Sequence, residues 1–275
     1  LGDFNIADLV AKHAAIYPYQ RALVYPSGQT SAGGIQYTQL TFQQAQQRIM
    51  RYAQAFLRAG IQKGDRVCTF VTLSLDFMPI IFALYRIGAI VVLIDPGMGR
   101  AGLLSCVERI APVAMVGVPK AMIATRLFPG KFKSLKIKIT VGGSAWLWGG
   151  YTLDALVKQG GEEQAIQPTQ RGDEASILFT SGSTGTPKGI VHSYGGYLVA
   201  TKLTCQKQFG MNRNSVVMTA SNAGWLNGHT YALFGPLSLG ATTILLEDPM
   251  LLLDESLLRK ILRLKVSILY LPVTL

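Results

Sequence analysis

The chain has 275 residues, 49% hydrophobic and 15% charged, with a formal net charge of +11. That much apolar material builds one large domain or two linked subdomains and excludes an intrinsically disordered chain. The three cysteines, Cys68, Cys106 and Cys205, stand far apart with no CxxC pair, and there are only three histidines; this argues against a zinc site or disulfide framework and for a reduced, cytoplasmic setting in which the thiols are small buried hydrophobes.

The first ten residues, LGDFNIADLV, carry Asp3 and Asp8 and lack the apolar run of a secretory leader. ALVY and IQYTQ, separated by a glycine-containing loop, read as a hairpin at the margin of a sheet. LTFQQAQQRIMRYAQAFLRAG opens with Thr41 and Gln44 at capping-box spacing. It repeats apolar residues at Phe42, Ala45, Ile49, Ala53 and Phe56 and stops at Gly60, a complete helix signature. RVCTFVT follows as a strand. The longest apolar run, FMPIIFALYRIGAIVVLI, is interrupted by Pro79, Arg86 and Gly88. It is therefore expected to be a buried helix over 76–87, closed by Gly88 and followed by a buried strand, with no transmembrane segment. The cycle repeats through the loop DPGMGR, where Asp95 reads as a turn residue, a helix over 101–110, strand VAMVGV and a helix after Pro119.

No acidic residue lies between Arg109 and Leu153, while Arg126, Lys131, Lys133, Lys136 and Lys138 crowd into KFKSLKIKI and its approach. An anionic lipid or nucleic-acid surface is one reading. The favoured one is a solvated face with lysines on an edge strand and no nucleic-acid partner, because Phe132 is the single aromatic residue among Lys131 to Lys138, too few to stack successive bases. Trp146 and Trp148 have the alternate spacing of one strand face and are expected to pack. The polar stretch 160–174 reads as a linker or long surface loop, giving two α/β units at 1–165 and 166–275. The second would carry strands ASILF, GIVH, SVVMT, TTILLE and VSILYL, with helices over 196–208 and 231–239. It would also hold an amphipathic helix, DESLLRKILRLK, with Leu257, Leu258, Ile261 and Leu262 on its apolar side. Continuously apolar strands alternating with helices indicate parallel sheets covered on both faces.

One stretch resists any packing explanation. FTSGSTGTPKG, residues 179–189, sets five hydroxyls (Thr180, Ser181, Ser183, Thr184, Thr186) among Gly182, Gly185 and Gly189, with a lysine at Lys188. Between two strands, such a loop can turn successive backbone N–H groups onto an anion, with hydroxyls and a cation beside them; the ligand expected is a polyphosphate. It is not a Walker A loop, because five residues on from Gly182 stands Pro187, and Gly189 rather than Ser or Thr follows Lys188.

This loop resembles the phosphate-binding loop of the adenylate-forming enzymes (AMP-forming acyl-CoA synthetases, luciferases and peptide-synthetase adenylation domains), with about ten consecutive positions in agreement. The helix from YTQLTFQQ to GDRV and the segment FALYRIGAIVVLIDPG are similar to the same family. SNAGWLNGHTYALFGPLSLGATTILLE and HSYGGYL resemble acetyl- and propionyl-CoA synthetases, whereas LIDPGMGR and ITVGGSAWLWGG resemble the β-lactone synthetase branch. The resemblance implies activation of a carboxylic acid, short-chain or fatty, by ATP and Mg²⁺ to an acyl-adenylate, with transfer to CoA. Thr180, Ser181, Gly182, Ser183, Thr184, Gly185, Thr186, Lys188 and Gly189 would hold the nucleotide. Lys188 and Thr184 would be catalytic, Thr184 also meeting Mg²⁺, and Trp225, Leu226 and Asn227 would face the acyl group. The family's later elements, including its C-terminal lid, do not occur in the sequence, so the chain reads as the N-terminal part of such a ligase and is expected to be inactive alone. A different class also fits: a non-catalytic binding protein that keeps the loop and uses its basic stretch on an acidic partner. His192 and His229, with no matched carboxylate nearby in sequence, are expected to be structural.

Overall fold

In the computed structural model, which describes residues 4–29, 35–180, 187–219, 226–246 and 255–271, helices and strands alternate as their sequence periods require. In chain order they are α1 (Ala7–Ile16), β1 (Arg21–Gln29), β2 (Ile35–Thr41), α2 (Phe42–Arg58), β3 (Arg66–Phe70), α3 (Phe77–Arg86), β4 (Ile90–Leu93), α4 (Gly99–Ile110), β5 (Ala114–Gly117), α5 (Pro119–Leu127), β6 (Ile137–Thr140), β7 (Tyr151–Thr152) and α6 (Leu153–Lys158). After them come β8 (Glu174–Thr180), β9 (Lys188–Ser193), α7 (Tyr194–Gln208), β10 (Val216–Thr219), α8 (Leu226–His229), α9 (Gly235–Ser238), β11 (Thr242–Ile244), α10 (Glu255–Leu262) and β12 (Ile268–Tyr270). No helix among the described residues is long and apolar enough to cross a membrane.

The cap chemistry written in the sequence is realised atom by atom. Thr41 N–H donates to Gln44 Oε1 (2.9 Å) and Gln44 N–H donates to Thr41 Oγ1 (3.2 Å), so two otherwise orphaned donors of α2 are satisfied reciprocally. All five apolar positions of the α2 stripe are fully buried. At its far end Ile61 N–H reaches Phe56 O and Gly60 N–H reaches Leu57 O, with Gly60 at φ +96°. Helix α3 ends the same way through Gly88, at φ +75°, by Ala89 N–H to Leu84 O and Gly88 N–H to Tyr85 O. Both are Schellman closures, which demand a left-handed residue at the glycine.

The chain divides into two compact units. The division does not fall at 165/166. The first unit comprises Leu1–Asn5, Ile49–Thr72 and Ile80–Gly196, the second Ile6–Arg48, Leu73–Pro79 and Tyr197–Leu275. The reason is strand pairing. In the first unit a seven-stranded sheet has the order β7-β6-β5-β3-β4-β8-β9 and is parallel except for the antiparallel β8–β9 pair. Strands β8 and β9, which carry the hydroxyl-rich loop, therefore belong to the first unit and not to the second. The second unit has a five-stranded sheet, β12-β10-β11-β1-β2, parallel except for the β1–β2 hairpin, which lies at the sheet margin as expected.

One face of the first sheet packs Cys68, Val92, Met115, Ile177 and Phe179 against Cys106 and Val107 of α4 and Met122 of α5. On its other face the Tyr85 and Ser176 hydroxyls are 2.5 Å apart, and the Tyr85 carbonyl accepts from Asn5 Nδ2 (2.7 Å) and the Tyr194 hydroxyl (2.9 Å). These bonds satisfy a helix-end carbonyl inside the core. The 160–173 stretch forms no helix or strand, but it is pinned: Lys63 pairs with Asp173 at 2.8 Å and donates to Pro168 O, and Thr169 is buried on Asn5 and Phe4. That lysine, followed by the Gln170 amide, holds the Asp173 carboxyl below its usual range.

Three expectations are corrected. Strand β6 is not an edge, since β7 pairs with it at Ile139 and Thr140. Trp146 and Trp148 sit in a turn flanked by Gly142, Gly143, Gly149 and Gly150, all at positive φ, which no strand tolerates. Trp146 is 87% exposed, whereas Trp148 packs on the core and donates from Nε1 to Thr140 Oγ1 (2.9 Å). In α10, Ile261 is buried and Leu258 packs beside it, but Leu262, the last helical residue, is exposed; the Leu257 side chain lies outside the described residues.

Candidate functional site

Strand β8 is an interior strand, buried from Ala175 to Phe179, and it emerges at exposed Thr180. The chain returns as β9, antiparallel, with Lys188 opposite Thr180, Gly189 opposite Phe179 and Ile190 opposite Leu178. The hydroxyl-rich segment is thus the connection of a hairpin whose mouth is closed by the Thr180–Lys188 pair. Ser181, Gly182, Ser183, Thr184, Gly185 and Thr186 lie outside the described residues. Because β8 runs parallel to β4, the connection leaves the same carboxyl edge of the sheet as the Asp95 turn. There Asp95 Oδ1 accepts from Gly97 N–H (2.8 Å) and its carbonyl from Met98 N–H, so Asp95 is the turn residue expected. Ligands of open α/β sheets bind at this edge.

Two features of the hairpin were not legible in the sequence. Arg109, in the last turn of α4, donates from Nη1 to the Pro187 carbonyl (2.9 Å), placing a second cation, a guanidinium, beside the residue that precedes Lys188. Arg109 and Pro187 are 78 positions apart, and no local pattern links them. Gly189, expected to serve a ligand, has a packing duty: a Cβ there would stand 3.2 Å from Ile177 Cγ2 and 3.4 Å from Phe179 Cζ. Lys188 itself is exposed, and among the described residues no carboxylate forms an ion pair with it. An uncompensated lysine beside an arginine, at the carboxyl edge of a parallel sheet, can hold an anion.

The profile of the AMP-binding enzyme family matches residues 10–275. The chain belongs to that family. Among its relatives, the olefin beta-lactone synthetase of Xanthomonas campestris pv. campestris is 33% identical over 243 residues, covering 88% of this chain and 42% of that protein. The acetyl-coenzyme A synthetase of Gamma-proteobacterium EBAC31A08 is 31% identical over 265 residues, covering 90% and 40%. Both branches that the sequence resembles are therefore represented, and this chain spans about two fifths of the length of each of these two relatives. The anthranilate CoA ligase AuaEII, solved with anthranoyl-AMP, superposes with a TM-score of 0.85 at 19% identity, over 98% of this chain and 50% of that one, a likeness of fold.

Elsewhere in the chain, Trp225 lies outside the described residues, and Leu226 and Asn227 are placed only as the first residues of α8. Helix α8 runs into a π-helical turn, Thr230–Phe234, and then into α9. The cause is Pro236, which has no N–H to offer the Ala232 carbonyl four residues earlier. The hydroxyl of Thr243 takes that place, donating to Ala232 O at 2.5 Å. His229 is buried, its ring 5.7 Å from that of Phe234 and 6.1 Å from that of Tyr197. His192 is half-buried, and desolvation lowers its pKa. All three cysteines are buried and free; burial raises each thiol, that of Cys205 to about 12, so none is a ready nucleophile. A shallow groove by Gln62, Lys63, Gln164 and Gln167 sits at the amino-terminal ends of β3 and β4, the edge opposite the hairpin.

Proposed function

We propose that the chain carries the nucleotide-gripping part of an ATP-dependent, AMP-forming ligase that activates a carboxylic acid as an acyl-adenylate and passes the acyl group to CoA. The observation that carries this reading is the Thr180–Lys188 closure of the hairpin at the carboxyl edge of the sheet, with the lysine exposed and without an ion-pair partner among the described residues. The acid's carboxylate oxygen attacks the α-phosphorus of ATP, and the bond to the bridging oxygen breaks. Pyrophosphate leaves with the electron pair. The substrate is its own nucleophile, so what the protein supplies is positioning and charge. Lys188 and the hydroxyls of Thr180, Ser181, Ser183 and Thr184 hold the leaving phosphates, with the backbone N–H groups of Gly182, Gly185 and Thr186 beside them. Trp225, Leu226 and Asn227 line the acyl pocket.

Among the described residues no group of three or more His, Cys, Asp or Glu is placed to hold a metal. The cations at the hairpin mouth suit phosphate and only hydroxyl oxygens there suit Mg²⁺, so the ion would arrive on the nucleotide, with Thr184 as the chain's ligand to it. The ion would neutralise phosphate charge.

The test is Lys188→Ala in the intact protein, assayed by acid-dependent pyrophosphate release across a carboxylate panel. Loss of a charge-stabilising group at the leaving phosphates lowers the rate on the order of 100-fold. The melting temperature should stay within about 2 °C, because the side chain is exposed. Equal rates for variant and parent would remove Lys188 from the mechanism.

A further inference from the structure

The apolar residues that alternate with the lysines in KFKSLKIKI are buried or partly buried, Phe132 at 8% exposure, but the fold brings exposed apolar side chains from elsewhere onto the basic stretch. Lys120, Ile123 and Leu127 recur at i, i+3 and i+7 along α5 and so share one face; Ile123 is 38% and Leu127 65% exposed. The glycine-flanked turn that carries Trp146 and Leu147 is tied to this helix, since Arg126 Nη1 donates to the Leu147 carbonyl at 2.5 Å. Lys138 donates to the neighbouring Trp148 carbonyl. Lys133 and Lys136, on the segment after α5, are exposed too. The nearest acid before this region, Glu108, is already paired with Lys131 (2.5 Å), and none lies between Arg109 and Leu153.

We propose that this α5 edge of the first unit docks on an anionic bilayer surface, Trp146 and Leu127 entering the headgroup region while the lysines meet acidic lipid. An exposed tryptophan with exposed aliphatic side chains and lysines in the same region is the chemistry of an interfacial anchor. A single-stranded RNA would have used a row of aromatic platforms, and here aliphatic side chains occupy those positions. In the sheet order this edge lies beside β7 and β6, with five strands to the hairpin edge at β9. The inference uses none of the residues assigned to the nucleotide and so stands independently of the ligase reading.

The experiment is co-sedimentation of the intact protein with phosphatidylcholine vesicles made with and without phosphatidylserine, at low and high salt. The protein pellets with the phosphatidylserine vesicles and is released by salt. Trp146→Ala lowers partition several-fold at either salt concentration. The triple variant Lys120→Gln, Lys133→Gln, Lys136→Gln lowers it at least tenfold at low salt, from a contribution of about fivefold for each basic residue near an acidic surface. Thermal melts of the variants match the parent, as expected for exposed positions, and pyrophosphate release is unchanged. Failure to pellet, equal pelleting with neutral vesicles, or variants that bind like the parent would overturn the inference. So would preferential capture by RNA that depends on the lysines and ignores Trp146.

Discussion

At the scale of single residues, burial decides what the ionisable groups can do. His13 closes α1, and its Nε2–H donates to the Ser238 carbonyl (3.1 Å), while Nδ1 has no partner among the described residues. The ring lies 5.5 Å from that of Phe42, against Gly240, with Lys12 and Lys202 as the charges that bear on it. Desolvation, then those lysines, lower its pKa below 6.5, outweighing the Ser238 bond. The unfolded chain therefore binds a proton first as pH falls, so His13 contributes stability that is complete above pH about 6.5 and drains away below it. His192 acts in the same direction. Melts taken between pH 7.5 and about 5 should show a falling midpoint, and His13→Gln should flatten part of that slope. An identical slope in the variant would mean that the ring titrates normally when folded. None of this was legible in the sequence, where His13 is one polar residue in a helix; its environment comes from Ser238, 225 positions away.

At the scale of elements, local chemistry was legible wherever one element carries its own signal. The capping box of α2 and the glycine stops at Gly60 and Gly88 need only neighbouring residues, and all three form as read. The π-turn before α9 is the opposite case. Its sequence, HTYALFGPLS, reads as plain helix, but the Ala232 carbonyl that Pro236 cannot serve takes its partner from another element, the Thr243 hydroxyl. Gly235 belongs to the same arrangement: a Cβ there would collide with the Cys205 sulfur of α7 and stand 3.0 Å from the Thr230 carbonyl. Gly235→Ala should therefore cost about 1–3 kcal/mol by overpacking. Adding Cys205→Ala removes the sulfur and should recover a large part, read as a non-additive double-mutant cycle in urea melts. Strict additivity would place the strain at the Thr230 carbonyl instead. The mistaken strand around Trp146 has a related origin, because W-L-W alternation imitates a strand while four flanking glycines turn the backbone.

At the scale of the whole molecule, the alternation of helix and strand gives the α/β class, but it says nothing about which strands share a sheet. Composition marks 160–174 as a break, and a contiguous division follows naturally from that. Hydrogen bonding divides the chain otherwise. Strand β8, beyond the break, pairs with β4 at Val91–Ser176, Val92–Ile177 and Leu93–Leu178, and brings β9 with it. In return β1, before the break, pairs with β11 at Leu23–Thr243 and Val24–Ile244. Expressed apart, 1–165 would expose the open edge of β4, and 166–275 would lack the two strands that complete its sheet beside β11. Unpaired, apolar edges of parallel strands are costly and prone to associate. Each piece alone should be aggregated or protease-sensitive, with amide exchange unprotected, whereas co-expression should return a complex with the melting profile of the intact chain. A folded, monomeric 1–165 with slow exchange in β3 and β4 would contradict the interleaving. Because the hydroxyl-rich connection hangs from that same borrowed pair, nucleotide binding should appear only in the reassembled complex, so the pairing that defeats a linear division also assembles the proposed site.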